Sequence, residues 1–265
     1  MHMQLGELCC IMVSSPEMAK EVMNTHDIIF SNRPYVLAAD VITYGSKGMT
    51  FSPQGTYWRQ MRKICTMELL APKHVDSFRS IREQELTIFV KEISLSEGSP
   101  INHSEKISSL AYVLISRIAF GIKSKDQQAY REFMKGVTDT GLVLRRSIDH
   151  GMDRILENIV RDHREKNLDT KAVGEENGED LVDVLLRLQR NGDHQHPMSD
   201  CCQSNDIFSA GSDTSSTIMI WVMSELVKNP RVMEKVQIEV RRVFDRKGYV
   251  DETSIQEVKY LRSVI

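Results

Sequence analysis

The chain has 265 residues, 41% of them hydrophobic and 27% charged, and a formal net charge of −3. This is the length of one large or two modest domains with a sizeable core, and the composition of a soluble globular protein. The charge gives no electrostatic ground for a nucleic-acid partner, and no apolar run approaches the ~20 residues of a membrane-spanning helix.

No signal-peptide pattern opens the chain. Glycine is sparse and alternating runs are rare, so the predicted class is mainly α, with minor β near the N-terminus. Leu5 to Val13 reads as a short strand. Ser14-Ser15-Pro16 then opens a helix, with Ser15 as its cap and Pro16 at its first position. Asp27 to Gly55 is long and irregular, punctuated by Arg33-Pro34, Gly45, Gly48 and Pro53. Loops of that length within a domain tend to be functional.

Thr56 to Leu70 is helical again, and Trp58 and Arg62, four residues apart, share one face. Arg59 and Lys63 form a second basic pair on an adjoining face. An indole N–H beside a guanidinium makes a donor set for a carboxylate. The same spacing also suits a surface basic helix with Trp58 in the core. Pro72 restarts the chain, Val75 to Glu97 is amphipathic throughout, and Gly98-Ser99-Pro100 turns it. Ser104 to Phe120 is a largely apolar helix closed by Gly121. Helices follow from Asp126 to Arg146 and from Asp149 to Asn167, the second exposed and heavily charged. A polar loop leads to a short helix, Glu179 to Arg190, acidic at its start and basic at its end.

Asp206 to Asn229 is the most informative stretch. Its first half, Ser209 to Thr217, holds no large side chain. Glycine lowers helix stability by about 1 kcal/mol against alanine, and Ser, Asp and Thr by up to about 0.7 each. Local rules that fail in this way mark functional sites. Thr214 can bond back to the Ala210 carbonyl one turn earlier, and Asp213 beside it makes a proton-handling pair next to a surface stripped of bulk. A flat ligand could then approach the backbone at Ala210 and Gly211. The same run also suits a small-residue crossing point for a neighbouring helix. The second half, with Ile218, Ile220, Trp221, Met223, Leu226 and Val227, reads as a buried anchor.

Asn229-Pro230 stops that helix and caps the next, down which Val232, Val236, Val240 and Val243 form one face. A final element carries a Thr253/Gln256 capping-box pattern. The five cysteines, Cys9, Cys10, Cys65, Cys201 and Cys202, make no disulfide framework, and their odd number favours a reducing compartment. His194, His196, Cys201 and Cys202 cluster in sequence, but adjacent cysteines do not have the spacing of a structural zinc site. They are read as a polar loop, with no metal.

Taken in order, these stretches resemble plant cytochrome P450s, most closely family 71, and the resemblance spans residues 1–265 as a partial domain of that fold. SSPEMAKEVMNTHDIIFSNRP resembles the family's early strand, helix and Arg-Pro loop. YWRQMRKIC is similar to its WxxxR helix, which implies that Trp58 and Arg62 hold a haem propionate. SAGSDTSS resembles the (A/G)Gx(D/E)T(T/S) motif, which implies that Ala210 and Gly211 line the distal face of haem while Asp213 and Thr214 relay protons during oxygen activation. NPRVMEKVQIEVRRVF and VDETSIQEVKYL resemble the approach to the family's ExxR helix.

The implied activity is a haem-dependent monooxygenase that inserts oxygen into a small lipophilic plant metabolite, a terpenoid or a phenolic. O2 and NADPH–cytochrome P450 reductase are its implied partners, and the cytosolic face of the endoplasmic reticulum its implied location. The sequence departs from the pattern in several ways. The residues up to Ile265 hold neither the ExxR motif nor the cysteine loop, none of the five cysteines stands in FxxGxRxCxG, and the expectation is that the N-terminal anchor is absent. The joins at Gly141 to Ser147 and Asp200 to Asp206 are short. The expectation is therefore a truncated or mis-spliced product, or a fragmentary gene model, inactive alone and cytosolic. The competing expectation is a non-catalytic helical fragment that binds a lipophile or a partner helix.

Overall fold

The computed structural model describes residues 1–6, 8–35, 40, 45–121, 157–165, 179–190, 200–245 and 251–265. They fall into two compact units, Met1–Lys63 and Ile64–Ile265. The expected helices over 126–146 and 149–156, the short join after Gly141 and the polar loop over 166–178 lie outside the described residues. No helix among the described residues is long and apolar enough to cross a membrane.

In the first unit the expected single strand is a hairpin. Strands β1 (His2–Leu5) and β2 (Leu8–Ile11) pair antiparallel with Leu5 opposite Leu8. Gly6 reverses the chain at φ +61°, a conformation that glycine adopts without a Cβ penalty. Helix α1 (Pro16–Lys20) begins as its sequence dictates, with Ser15 Oγ accepting from the Met18 amide at 3.3 Å. It runs on as a π-helical turn, Glu21–Thr25, and a short α2 (Asp27–Phe30) follows. The loop over 45–55 leads into α3 (Thr56–Ile64).

The second unit opens with a π-helical turn, Cys65–Leu69, in which Cys65 is buried as packing. The expected helix from Val75 to Glu97 is two helices, α4 (Pro72–Ser77) and α5 (Arg79–Leu95). They break at Phe78, which turns inward, edge-on to the His74 ring at 4.9 Å. Helix α6 (His103–Phe120) is capped by Asn102, whose side chain accepts from the Glu105 amide at 3.3 Å, and it ends on Gly121 at φ +60°. Residues 157–165 form α7, and α8 (Leu181–Arg190) follows. Helix α9 (Asp200–Lys228) starts earlier than the sequence suggested and lies along α6.

Helix α10 (Pro230–Phe244) buries Val236 and Val243. Asn229 precedes it but does not cap it; its amide instead donates back to the Glu225 carbonyl at 2.9 Å. The last element is a 3₁₀ turn, Glu252–Glu257, whose cap is Asp251 rather than Thr253, with Asp251 Oδ1 accepting from the Ser254 amide at 2.9 Å. Helix α11 (Lys259–Val264) is held at its N-terminus by Glu239, which accepts from the Tyr260 and Leu261 amides, both at 2.9 Å.

A buried polar cluster joins α6, α7 and α8. The α7 segment is not uniformly exposed as expected, because Ile159, Val160 and His163 point inward. His163 Nε2 lies 3.0 Å from the Phe120 carbonyl, which can only accept, and 3.5 Å from Asp180 Oδ2. Nδ1 lies 3.0 Å from Asp183 Oδ1. Both ring nitrogens face acceptors, the arrangement of an imidazolium. Asp180 also caps α8, accepting from the Asp183 amide at 2.9 Å. Burial pushes the Asp180 carboxyl up to about 6, against the pull of His163. Burial would lower the His163 value, but the Asp183 hydrogen bond and the Asp180 charge outweigh it and hold it above the ordinary 6.5.

Gly121 belongs to this cluster. A Cβ there would sit 2.6 Å from Asp180 Oδ2, on a residue already at positive φ. The left-handed conformation alone penalises a side chain by roughly 1–2 kcal/mol. Gly121→Ala is therefore expected to destabilise the second unit by more than about 2 kcal/mol in urea unfolding, whereas Gly98→Ala, at positive φ with open space for a Cβ, is expected to show only the conformational part.

Candidate functional site

The two parts of the predicted site lie in different units and are described separately. In the second unit, α9 presents two stripes at helical spacing. Phe208, Ser212 and Ser216 are buried, whereas Ala210, Thr214, Ile218 and Trp221 are exposed. Helix α6 chooses the buried stripe. Phe208 is 0% exposed, stacked on Phe120 at 5.5 Å and tilted against Tyr112 at 5.9 Å. A Cβ on Gly211 would meet Ile115 Cδ1 at 3.4 Å, so glycine here serves the close approach of two helices. The small-residue run is thus a crossing point for α6 on one side of the helix, Gly211 included, and leaves an open face at Ala210 and Thr214 on the other.

The expected buried anchor does not hold. Of the large apolar residues in the second half, Leu226 is buried, but Trp221 is 62% and Ile218 56% exposed, and Met223 and Val227 are exposed too. Apolar size did not decide burial. The side of α9 that meets α6 did, and the small residues occupy it.

On the open face, Thr214 Oγ1 donates to the Ala210 carbonyl at 2.6 Å, the back-bond expected from the sequence. Asp213, one residue earlier and so about 100° round the helix, is half-buried at the edge of the α6 interface. Its Oδ1 accepts from the Tyr112 hydroxyl at 2.7 Å. Sequence reasoning missed Tyr112. The partner lies 101 residues away, and no local pattern signals it.

In the first unit, Trp58 and Arg62 do share a face. The Arg62 guanidinium stands 5.3 Å and that of Arg33 5.5 Å from the Trp58 ring centroid. The indole N–H, however, donates to the Met49 carbonyl at 3.1 Å, so it belongs to the loop. The Arg-Pro segment supports the same loop, with Arg33 Nε donating to the Thr50 carbonyl at 3.2 Å. Trp58 is therefore a half-buried platform, and the exposed Arg62 is the charged group it carries.

Among the described residues, His163, Asp180 and Asp183 form the one cluster with metal-like proximity. The imidazolium already supplies the positive charge between these carboxylates, so the cluster is an ion-paired joint. His194 and His196, and the side chains of Cys201 and Cys202, lie outside the described residues.

The arrangement fits part of a haem pocket. In the second unit, a helix face free of bulk at Ala210 and Thr214, continuing into Ile218 and Trp221, suits a flat apolar ring; in the first unit, taken by itself, the Arg62 guanidinium suits a carboxylate. None of Cys9, Cys10 and Cys65 belongs to that face. Cys9 and Cys10 lie on β2, and Cys65 is buried in the turn after α3.

The comparisons with known proteins agree. The cytochrome P450 family model matches residues 1–149 and 144–265, two parts that meet close to the predicted short join. Tabersonine 16-hydroxylase 1 of Catharanthus roseus is 42% identical over 100% of this chain and 58% of its own length. Cytochrome P450 71D10 of Glycine max is 41% identical over 100% of this chain and 56% of its own. The chain thus spans somewhat more than half the length of these relatives. A zebrafish cytochrome P450 solved with abiraterone superposes with a TM-score of 0.85 at 19% identity, covering 100% of this chain and 65% of that one. At that identity the likeness speaks for the fold.

Proposed function

The chain belongs to the cytochrome P450 family and is like the plant members of family 71, and from that premise we propose that it serves a haem-dependent monooxygenase acting on a small lipophilic plant metabolite, a terpenoid or a phenolic. When bound, haem would supply the oxygen chemistry. The rest falls to residues of this chain.

Arg62, carried on Trp58, would hold a propionate. Ala210 keeps the open face of α9 low, so that ring and substrate can lie near the backbone, while Gly211 behind it lets α9 pack closely on Ile115 of α6. The Thr214 hydroxyl is oriented by its bond to the Ala210 carbonyl, which leaves its oxygen able to accept a proton or a hydrogen bond on the open face. Asp213 beside it is the acid of the pair. Ile218 and Trp221 extend the face for an apolar substrate. NADPH–cytochrome P450 reductase is the proposed electron donor, at the cytosolic face of the endoplasmic reticulum. The observation that carries the reading is the Thr214–Ala210 bond on a helix face whose opposite stripe is the one used for packing among the described residues.

Haem titration of the purified chain, followed by Soret absorbance, tests it. The chain alone offers an oxygen-side wall and one charged anchor, so weak binding is expected, without a thiolate-type band in the reduced carbon monoxide spectrum. Arg62→Gln should weaken that binding roughly tenfold, the scale of a hydrogen bond between charged groups, and Ala210→Leu should weaken it by obstruction. Affinity indifferent to both substitutions sinks the reading. It would favour the competing one, a helical unit whose exposed Ile218 and Trp221 hold a lipophile or a partner helix.

A further inference from the structure

We propose that Tyr112 is a positioning residue for Asp213, pinning one carboxylate oxygen so that the other alone handles protons. The inference rests on the haem reading above for its purpose, but on independent geometry for its content.

The Tyr112 hydroxyl donates to Asp213 Oδ1 at 2.7 Å, the short range of a hydrogen bond to a charged acceptor. Oδ2 has no hydrogen-bond partner among the described residues. The two oxygens of this carboxylate are therefore unequal. One is committed to α6, and the other is left for exchange.

Tyr112 is itself held firmly. Its ring tilts against Phe208 at 5.9 Å, Phe208 is stacked on Phe120, and the Tyr112 carbonyl accepts from Ser116 Oγ at 2.7 Å. From the other side, Ser216 Oγ donates to the Asp213 carbonyl at 3.1 Å. The phenol thus sits on a fixed aromatic stack and reaches the acid across the interface. An aspartate on an open helix face would rotate among rotamers; this one is restrained at one oxygen. Thr214, the next residue, is likewise restrained by its bond to Ala210. Acid and alcohol are held by separate bonds, one to the neighbouring helix and one to their own.

The test uses the haem-free chain, so its failure leaves the haem reading standing and a failed haem titration leaves this one standing. With 13C-labelled aspartate, the Asp213 carboxyl resonance is assigned by its loss in Asp213→Asn and then followed in Tyr112→Phe. In parallel, carbodiimide coupling at Asp213 is measured by peptide mass spectrometry across pH. Phenylalanine keeps the ring against Phe208, so a packing role would move neither readout. Positioning predicts a displaced resonance and coupling faster by roughly tenfold, the scale of one hydrogen bond to a charged group. Should Tyr112→Phe fail to fold, the ring carbon bearing the hydroxyl of Tyr112 is followed in Asp213→Asn instead, where it is expected to move. An unmoved resonance with an unchanged coupling rate overturns the proposal.

Discussion

His163→Ala is expected to destabilise the second unit by about 3–5 kcal/mol at pH 6.5, because it leaves a buried carboxylate without its counter-charge. That pH lies above the value of about 6 at which Asp180 ionises and below that at which His163 gives up its proton. Asp180 is 6% and His163 7% exposed, so water cannot replace the imidazolium there. The loss spreads to α6, because His163 is the donor to the Phe120 carbonyl. The pH dependence gives the mechanism its signature. His163 titrates above its ordinary 6.5 in the folded chain, so its contribution is fully present below that value and is lost as pH rises through the folded one. Asp180, raised from 3.8 to about 6, acts in the same direction at lower pH. The facing groups are Asp180 and Asp183 from the α8 side and the Phe120 carbonyl from α6. Urea unfolding across pH should therefore show a gap between wild type and His163→Ala that narrows above neutrality. A gap of constant size would mean that His163 contributes packing alone.

Phe208→Ala should be similarly severe, about 3–5 kcal/mol, through the cavity it opens between α6 and α9. Trp221→Ala, on the same helix but 62% exposed, should stay within about 0.5 kcal/mol, as surface substitutions do. The contrast is sharp because the sequence reading places Trp221 in the buried half of this helix. Thermal unfolding of the two variants settles the order. If Trp221→Ala proved the worse, the buried stripe of α9 would be misassigned.

These two cases mark the limit of what the sequence made legible. Interactions within one or two turns could be read directly. Ser15 caps α1, Gly121 ends α6 at positive φ, and Thr214 bonds back to Ala210. Each depends only on residue type and a separation of a few positions. Helix existence was equally legible, and the order of motifs identified the family.

What escaped depends on which face meets a neighbour. Tyr112 reaching Asp213, and His163 lying between Phe120 and Asp183, are pairings across 101, 43 and 20 residues. The inversion on α9 has the same cause, since small side chains allow close helix contact as well as large ones allow burial. The split at Phe78 and the transfer of the final cap to Asp251 are subtler. In both, the periodicity was right and a single side chain turned elsewhere.

The placement of the two tryptophans has a practical consequence. The chain contains only Trp58 and Trp221, one in each compact unit. Trp58 lies half-buried beneath two guanidinium groups, and Trp221 faces solvent. Their emission should therefore separate by colour, with Trp221 the redder and the more readily quenched by iodide. Trp58→Phe and Trp221→Phe each leave a single fluorophore, so the melting of either unit can be followed by light without cutting the chain.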